Sequence, residues 1–202
     1  MNTDITIIRH GETEWNVSMR LQGSGNSALT ARGIQQAELT AKALKNHKFK
    51  ALISSDQQRA LQTAEIINRF HSLPIIQEPG IRERNFGIME GLTREEILEK
   101  YPEVHAGYMK RRETYQIPEG ESLVQFFQRV KNVLQGIVDT YREKQILVVT
   151  HGGILDCIMR LTFNIPLGAS RNFSIHNAAI NHFLVSSEKW FLQEWGNTNH
   201  LR

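Results

Sequence analysis

Two kinds of apolar pattern alternate along the chain. Short runs of β-branched and other apolar residues predict buried strands, because such side chains fit the pleated surface of a sheet. These runs lie at 5–8, 51–54, 75–76 and 146–149, and two later ones lie at 178–185 and 190–195. A polar turn around Ser187-Glu188-Lys189 separates the last two runs.

Between the first strands, apolar residues recur every three or four positions, which predicts helices. Amphipathic helices are expected at 31–45, 55–70 and 122–141, and a buried, nearly all-apolar helix is expected at 153–163. Thr30 stands where the first helix needs an N-cap, and Ser55 with Gln58 has the spacing of a capping box. The last helix should end near Asn164, because Pro166 follows.

The alternation of strands and helices predicts the fold class. It favours an α/β protein with three layers, α/β/α, around a mostly parallel sheet. The region at about 88–120 has helical patches, many charges and no strand pattern, so we interpret it as a helical insertion over one end of the sheet. A chain of 202 residues suits one domain. We therefore expect a single domain over 1–202 that carries this insertion as a cap.

Composition narrows the classes of partner. The formal charge of +3 favours anionic ligands only weakly, and no basic stripe with interleaved aromatic residues predicts a nucleic-acid partner. Cys157 is the only cysteine, which excludes an intrachain disulfide, and its apolar helix indicates a core residue. No basic leader and no apolar run of membrane-spanning length is found, so we expect a cytoplasmic protein without a membrane partner.

Polar residues follow the predicted strands at the point where each strand ends. Ligands of open parallel sheets bind outside the carboxyl ends of the strands, so these residues are expected to meet. Arg9 and His10 follow the first strand, Arg59 the second, Glu83 the third and His151 the fourth. The sequence thus predicts that two arginines, two histidines and one glutamate converge on one rim.

This set of side chains suits phosphoryl transfer. Arginine forks match phosphate oxygens, and Arg59, in the first turn of its helix, would be joined by free backbone N–H groups. One histidine can attack phosphorus, the other can donate to phosphoryl oxygens, and a carboxylic acid can protonate the leaving alkoxide. Gly11, Gly152 and Gly153 would let the backbone approach a ligand closely.

Each of these residues also has an ordinary interpretation. Arg9 or Arg59 alone is typical of a solvated surface charge, and Glu83 between two arginines is typical of a surface ion pair. Their convergence favours a site. The chain lacks the metal-binding spacings H-E-x-x-H, H-x-H and H-x-x-x-H and the nucleophile motif G-x-S-x-G. We therefore expect no metal and no serine nucleophile.

Four sequence blocks, in order along nearly the whole chain, together resemble one family. They are Arg9-His10-Gly11-Glu12-Thr13, Ser54-Ser55-Asp56 with Arg59, Glu83 with Phe86-Gly87, and Thr150-His151-Gly152-Gly153. The set is similar to the histidine phosphatase superfamily, and more closely to its phosphoglycerate mutase-like branch.

The resemblance implies roles for particular residues. His10 would attack phosphorus and become a phosphohistidine, while Arg9, Arg59 and His151 would hold the phosphoryl oxygens. Glu83 would protonate the leaving oxygen and then activate water. Asn16, Gln22, Gly23 and Gly152 would line the phosphate or substrate pocket, with no metal and no cofactor. A buried arginine cluster would lower the pKa of His10 and keep it neutral.

The family contains both phosphatases and mutases. The chain is short, and its segment 117–122 resembles the phosphatase members, although Met89 stands where many of them have tryptophan. We favour a phosphomonoesterase acting on a small phosphorylated metabolite. A phosphoglycerate mutase and a non-catalytic phosphate-binding or regulatory protein are the alternatives.

Two further features are left open by the sequence. Lys110, Arg111 and Arg112 form either a solvated basic patch or a contact for a carboxylate or second phosphate of the substrate. The last two strands either close the edge of the sheet or pair with a second copy in a homodimer.

Overall fold

The computed structural model describes residues 2–186 and 189–202, in which six strands form one mixed sheet. The strands are β1 (Thr3–Arg9), β2 (Ala51–Ser54), β3 (Ile75–Gln77), β4 (Gln145–Thr150), β5 (Ile180–Val185) and β6 (Trp190–Asn197). Their order is β3-β2-β4-β1-β5-β6, with β3, β2, β4 and β1 parallel and the last two antiparallel. The mostly parallel sheet is confirmed. The turn predicted at Ser187-Glu188 lies outside the described residues.

Helices cover both faces of the sheet. They are α1 (Glu14–Val17), α2 (Ala31–Leu44), α3 (Gln58–Asn68), α4 (Arg94–Lys100), α5 (Pro102–Met109), α6 (Leu123–Thr140) and α7 (Gly152–Phe163). Ile5 and Ile7 of β1 pack in one core cluster with α6 and α7, whereas Ile8 packs in the other with α2 and α3. Successive side chains of a strand point to opposite faces, so each parallel strand is apolar on both. The three layers follow from this pattern.

Side chains fix where the helices begin and end. The Thr30 side chain accepts a hydrogen bond from the Gly33 N–H at 2.9 Å, which confirms the predicted cap of α2. The capping box predicted at Ser55 is wrong: α3 begins at Gln58, and its N-cap residue Gln57 makes no side-chain cap bond. The Ser55 hydroxyl lies instead 2.8 Å from a histidine ring nitrogen. α7 ends as expected at Asn164, whose φ of 53° places it in the left-handed region.

Residues 88–120, called the cap segment below, contain α4 and α5. No strand occurs in this segment, all of which belongs to the described residues. Met89, Ile97 and Ile117 form a small buried core of their own, against which Leu21 and Tyr108 pack. In the described part of the chain, no helix has the length and apolar character needed to cross a bilayer.

Candidate active site

The parallel register brings two histidines together at the carboxyl rim of the sheet. Arg9 at the end of β1 is the partner of Thr150 at the end of β4, so the next residues, His10 and His151, leave the sheet at the same level. The His10 N–H still donates to the Thr150 carbonyl at 2.9 Å. The two ring centroids lie 5.3 Å apart. Residues far apart in the sequence are thus neighbours because β1 and β4 are adjacent and parallel.

His10 is held as a neutral ring whose Nε2 lone pair faces the Arg59 guanidinium. Its Nδ1 lies 2.7 Å from the Gly11 carbonyl, which can only accept, so Nδ1 carries the hydrogen and Nε2 carries a lone pair. Arg59 Nε donates to that Nε2 at 3.3 Å. Burial, and then the charges of Arg9 and Arg59, hold the pKa of His10 well below its usual value. The expected lowering is confirmed in direction, with burial as its largest cause.

Two buried guanidinium groups stand beside this ring. Arg59 is 1 % exposed and donates to the carbonyls of Gly23 and Gly25 at 2.9 and 2.8 Å. Burial lowers the pKa of Arg59 to about 10, so it stays charged at neutral pH. Arg9 donates through Nη1 to the Ile175 carbonyl at 2.7 Å, and its buried Nε has no hydrogen-bond partner among the described residues. Arg9 Nε is thus a buried donor without an acceptor in the described part of the chain.

His151 is completely buried beside His10 and occupies the position before α7, where its side chain makes no capping hydrogen bond. Its Nε2 lies 2.8 Å from the Ser55 hydroxyl, which itself accepts a hydrogen bond from the Gln57 N–H. The Ser55 hydroxyl can donate its hydrogen to Nε2, and in that tautomer the ring hydrogen of His151 lies on Nδ1. That Nδ1 has no partner within the described residues. Burial first, and then the charge of Arg59, lower the pKa of His151 well below its usual value.

Glu83 is fixed by the backbone on two sides. Its Oε1 accepts from the Arg84 N–H at 2.8 Å, and its Oε2 accepts from the Gly153 N–H at 3.0 Å, at the start of α7. A Cβ at Gly153 would lie only 2.1 Å from Glu83 Oε1, so glycine is required for this close approach. The carboxyl group is thus oriented at the cavity wall and can exchange a proton there.

Gln57 is a site residue that sequence reasoning missed. Its Nε2 donates to the Gly23 carbonyl at 2.8 Å, and its Oε1 accepts from the Glu83 N–H at 3.0 Å and from Arg59 at 3.2 Å. One buried amide therefore links three of the predicted site residues. Its place between the second strand and Arg59 was a signal, but nothing in the sequence showed which loops the amide would join.

Asn177 was missed as well, and no motif marks it. Its Nδ2 donates to the His10 carbonyl at 2.9 Å and to Asn16 Oδ1 at 3.2 Å. Asn16 Oδ1 also accepts from the Thr13 N–H at 3.2 Å, so it belongs to the cap of the short helix α1. Asn177 thereby ties the segment before β5 to the loop that carries His10.

Most of the predicted site residues line one cavity of about 540 Å³. Eight of the nine border it, namely Arg9, His10, Asn16, Gln22, Gly23, Arg59, Glu83 and Gly152, and His151 lies behind them. Arg111 and Arg112 border it too, whereas Lys110 is exposed and does not. Among the described residues that line the cavity, eight are arginines and only Glu83 and Asp156 are acidic, so the cavity suits anions. Cys157 borders it as a buried thiol whose pKa is raised by burial.

Comparisons with known proteins identify the family and the fold. A family model described as the histidine phosphatase superfamily (branch 1) matches residues 5–198. Phosphoglycerate mutase-like protein 4 of Arabidopsis thaliana is 36 % identical over 98 % of this chain and 86 % of its own length. A metal-independent phosphoserine phosphatase of the same plant is 35 % identical over 98 % of this chain and 83 % of its own. The solved structure of Bacillus stearothermophilus YhfR, 31 % identical, superimposes with a TM-score of 0.91 over 99 % of this chain and 100 % of that one.

Proposed function

The chain belongs to the histidine phosphatase superfamily and is a phosphoryl-transfer enzyme, and we propose that it hydrolyses small phosphorylated metabolites through a phosphohistidine on His10. One observation carries this proposal. The neutral His10 presents a lone pair on Nε2, 3.3 Å from the Arg59 guanidinium, beside a cavity of about 540 Å³. A nucleophile next to fixed positive charge is what attack on a phosphate ester requires.

In the first step the ester phosphate binds between the cationic and N–H donors. The unpaired Arg9 Nε, Arg59 and His151 Nδ1 hold the non-bridging oxygens, because they are donors with no competing acceptor or with spare N–H groups. His10 Nε2 attacks phosphorus, the bond between phosphorus and the ester oxygen breaks, and the carboxylic acid of Glu83 gives its proton to that oxygen. The products are a free alcohol, a phosphohistidine and a Glu83 carboxylate.

In the second step the same groups act in reverse. The Glu83 carboxylate takes a proton from a water molecule, whose oxygen forms the new bond to phosphorus while the bond from phosphorus to His10 Nε2 breaks. Inorganic phosphate leaves, Glu83 is again protonated and His10 is again neutral. Every proton transfer in the cycle is made by Glu83, and no step uses a metal. The donors around the phosphate site are arginine, histidine and backbone N–H groups.

We favour hydrolysis over a mutase reaction. The cavity of about 540 Å³ is large enough to admit a small ester and water, which hydrolysis requires. The likeness to a metal-independent phosphoserine phosphatase supports the same choice. The mutase alternative rests on the likeness to a phosphoglycerate mutase-like protein.

The outer cavity indicates the class of substrate. Six arginines border the cavity beyond the phosphate site, namely Arg20, Arg84, Arg111, Arg112, Arg160 and Arg171. We propose that the substrate carries a second anionic group, such as a carboxylate, that Arg111 and Arg112 attract. We further propose that residues 1–202 work as one cytoplasmic domain, with the cap segment over the cavity and no nucleic-acid or membrane partner.

The test is phosphate release from p-nitrophenyl phosphate and a panel of metabolite esters, in excess chelator, with His10→Ala as the control. Release that persists in chelator and is lost in the variant supports the proposal. Conversion of 3-phosphoglycerate to its 2-isomer without release would favour the mutase. Tight binding of inorganic phosphate without turnover of any ester would indicate a non-catalytic phosphate-binding protein.

A further inference from the structure

One face of α7 forms a wall of the cavity from its inner end outwards. The residues of α7 that border the cavity are Gly152, Gly153, Asp156, Cys157 and Arg160. Their spacing of three, four or eight positions places them on one side of the helix. Asp156 therefore lies three residues, about 4.5 Å along the helix axis, beyond Gly153, whose N–H binds the Glu83 carboxylate.

Asp156 is held by a neighbour that is itself fully engaged. Its Oδ2 accepts from Arg160 Nε at 2.9 Å, whereas its Oδ1 is 3.5 Å from Arg160 Nη2. Arg160 also donates to the carbonyls of Pro166 and Ala169. The Arg160 side chain is 3 % exposed, but 20 % of the Asp156 side chain is accessible, and both residues border the cavity. Asp156 thus offers a fixed carboxylate oxygen with spare lone pairs to a ligand.

A carboxylate at this position is chemically unexpected in a cavity for anions. Its pair with Arg160 offsets part of its charge, but its Oδ1, at 3.5 Å from Arg160 Nη2, still favours a positively charged donor over an anion. Glu83, the other acidic residue of the described lining, is assigned to the leaving oxygen. In an ester bound with its leaving oxygen at Glu83, a group on the second carbon of the alcohol is three bonds from that oxygen, a reach slightly shorter than the rise of about 4.5 Å from Gly153 to Asp156, so it can lie between the two carboxylates that border the cavity.

We propose that Asp156 is a specificity-determining residue that binds a protonated amino group on the second carbon of the substrate's alcohol. The substrate class is then an amino-substituted alkyl phosphate, and its carboxylate, where present, lies towards Arg111 and Arg112. The inference rests on the proposed function for the position of the phosphate. It adds a contact that distinguishes an ammonium from a hydroxyl group at one carbon.

Two pairs of esters isolate that contact. O-phosphoserine and 3-phosphoglycerate of matched configuration differ only in an ammonium or a hydroxyl on the second carbon, and phosphoethanolamine and 2-hydroxyethyl phosphate differ in the same way without a carboxylate. The wild-type enzyme should have a higher kcat/KM for the amine in each pair. In Asp156→Asn, which keeps the shape and an acceptor for Arg160, that preference should fall about tenfold, the effect of losing a charge-assisted hydrogen bond.

Three controls separate recognition from a structural role. Asp139→Asn removes an exposed carboxylate of α6 that pairs with Arg142 just beyond the helix, and it should leave the preference unchanged. Asp156→Glu retains the charge and should retain a preference for the amine, and it substitutes for Asp156→Asn if that variant does not fold. The preference should also disappear as the pH rises through the pKa of the substrate amine.

Equilibrium binding to His10→Ala, measured by calorimetry with the same four esters, gives a readout that does not depend on turnover. Tighter binding of the amines that is lost on adding Asp156→Asn supports the proposal, even if the wild-type chain hydrolyses no ester and the proposed function fails. Equal affinities within each pair would overturn it. Equal losses for amine and hydroxyl esters in Asp156→Asn would overturn it as well, because they would indicate that Asp156 only holds Arg160.

Discussion

Gly153→Ala is predicted to damage the proton-transfer step without touching the nucleophile. The added Cβ would lie 2.1 Å from Glu83 Oε1 and 3.0 Å from the Phe126 ring. Since ordinary contacts of a Cβ begin near 3.4 Å, the carboxylate must move by about 1 Å and lose its hydrogen bond from the Gly153 N–H. The side chain assigned as the acid would then no longer reach the leaving oxygen.

The expected loss depends on the leaving group. General acid catalysis contributes about 10²–10⁴ in rate, so kcat for an alkyl phosphate should fall by about 10². An aryl phosphate such as p-nitrophenyl phosphate leaves without a proton, and its phosphorylation step should be affected far less. Steady-state kcat for both esters, together with the burst of p-nitrophenol that reports the first step, measures this difference.

Two further variants test the reasoning behind this prediction. Gly136→Ala is the matched control, because a Cβ there meets nothing within 4 Å on α6. It should keep full activity and raise the free energy of unfolding by about 0.5–1 kcal/mol, the usual gain of alanine over glycine in a helix. Glu83→Gln combined with Gly153→Ala should be little worse than Glu83→Gln alone. Additive losses, or equal losses for alkyl and aryl esters in Gly153→Ala, would refute the idea that Gly153 acts through Glu83.

Three more predictions concern the buried polar groups. The pKa values of His10 and His151 are lowered in the folded chain, so as the pH falls below about 6.5 the unfolded chain takes up protons first. The free energy of unfolding should then decrease by up to about 1.4 kcal/mol per pH unit for each histidine, and equal urea stability at about pH 7.5 and about pH 5.5 would contradict this. Arg59→Lys should lower kcat/KM about 10²-fold and the free energy of unfolding by about 2 kcal/mol, because a lysine does not replace the guanidinium that binds two loop carbonyls. Steady-state kinetics measures the first effect and a urea titration the second. A lysine variant with wild-type activity would count against a role of Arg59 in binding phosphate. Ser55→Ala should lower kcat about tenfold, because it removes the hydroxyl that contacts His151 Nε2. Ser54→Ala, at a position that is equally buried, should leave kcat unchanged. Similar kcat values for the two variants would exclude a catalytic effect of the contact between Ser55 and His151.

The part of the site that follows from strand order could be predicted from the sequence. Arg9 and Thr150 are partners in a parallel ladder, so the next residues, His10 and His151, lie close together. This proximity does not depend on the conformation of the loops between the two strands. The same logic placed Arg59 at the start of the helix after β2. The patterns that predict strands and helices, with periods of 2 and 3.6 residues, repeat over several residues. One misjudged position therefore does not change the prediction of an element.

The remainder depends on single contacts that no local pattern encodes. Ser55 had the spacing of a capping box, but its hydroxyl contacts His151, which lies on another strand end, and the helix begins three residues later. Gln57 joins three loops through one amide, and Asn177 reaches His10 from the far end of the chain. Arg160 can be buried because Asp156 and carbonyls of the next loop accept its hydrogen bonds. The apolar pattern of the helix does not predict these partners.

The central claim is that a phosphoryl group passes through His10, and trapping that intermediate tests it most directly. Glu83→Gln should still accept phosphate from an aryl ester but release it slowly, because water is no longer activated. Rapid quenching with a radiolabelled aryl phosphate, followed by peptide mapping, should find an acid-labile label on the peptide that contains His10, and none in the variant that also carries His10→Ala. Label on another residue, or turnover that proceeds with no labelled enzyme, would contradict the account.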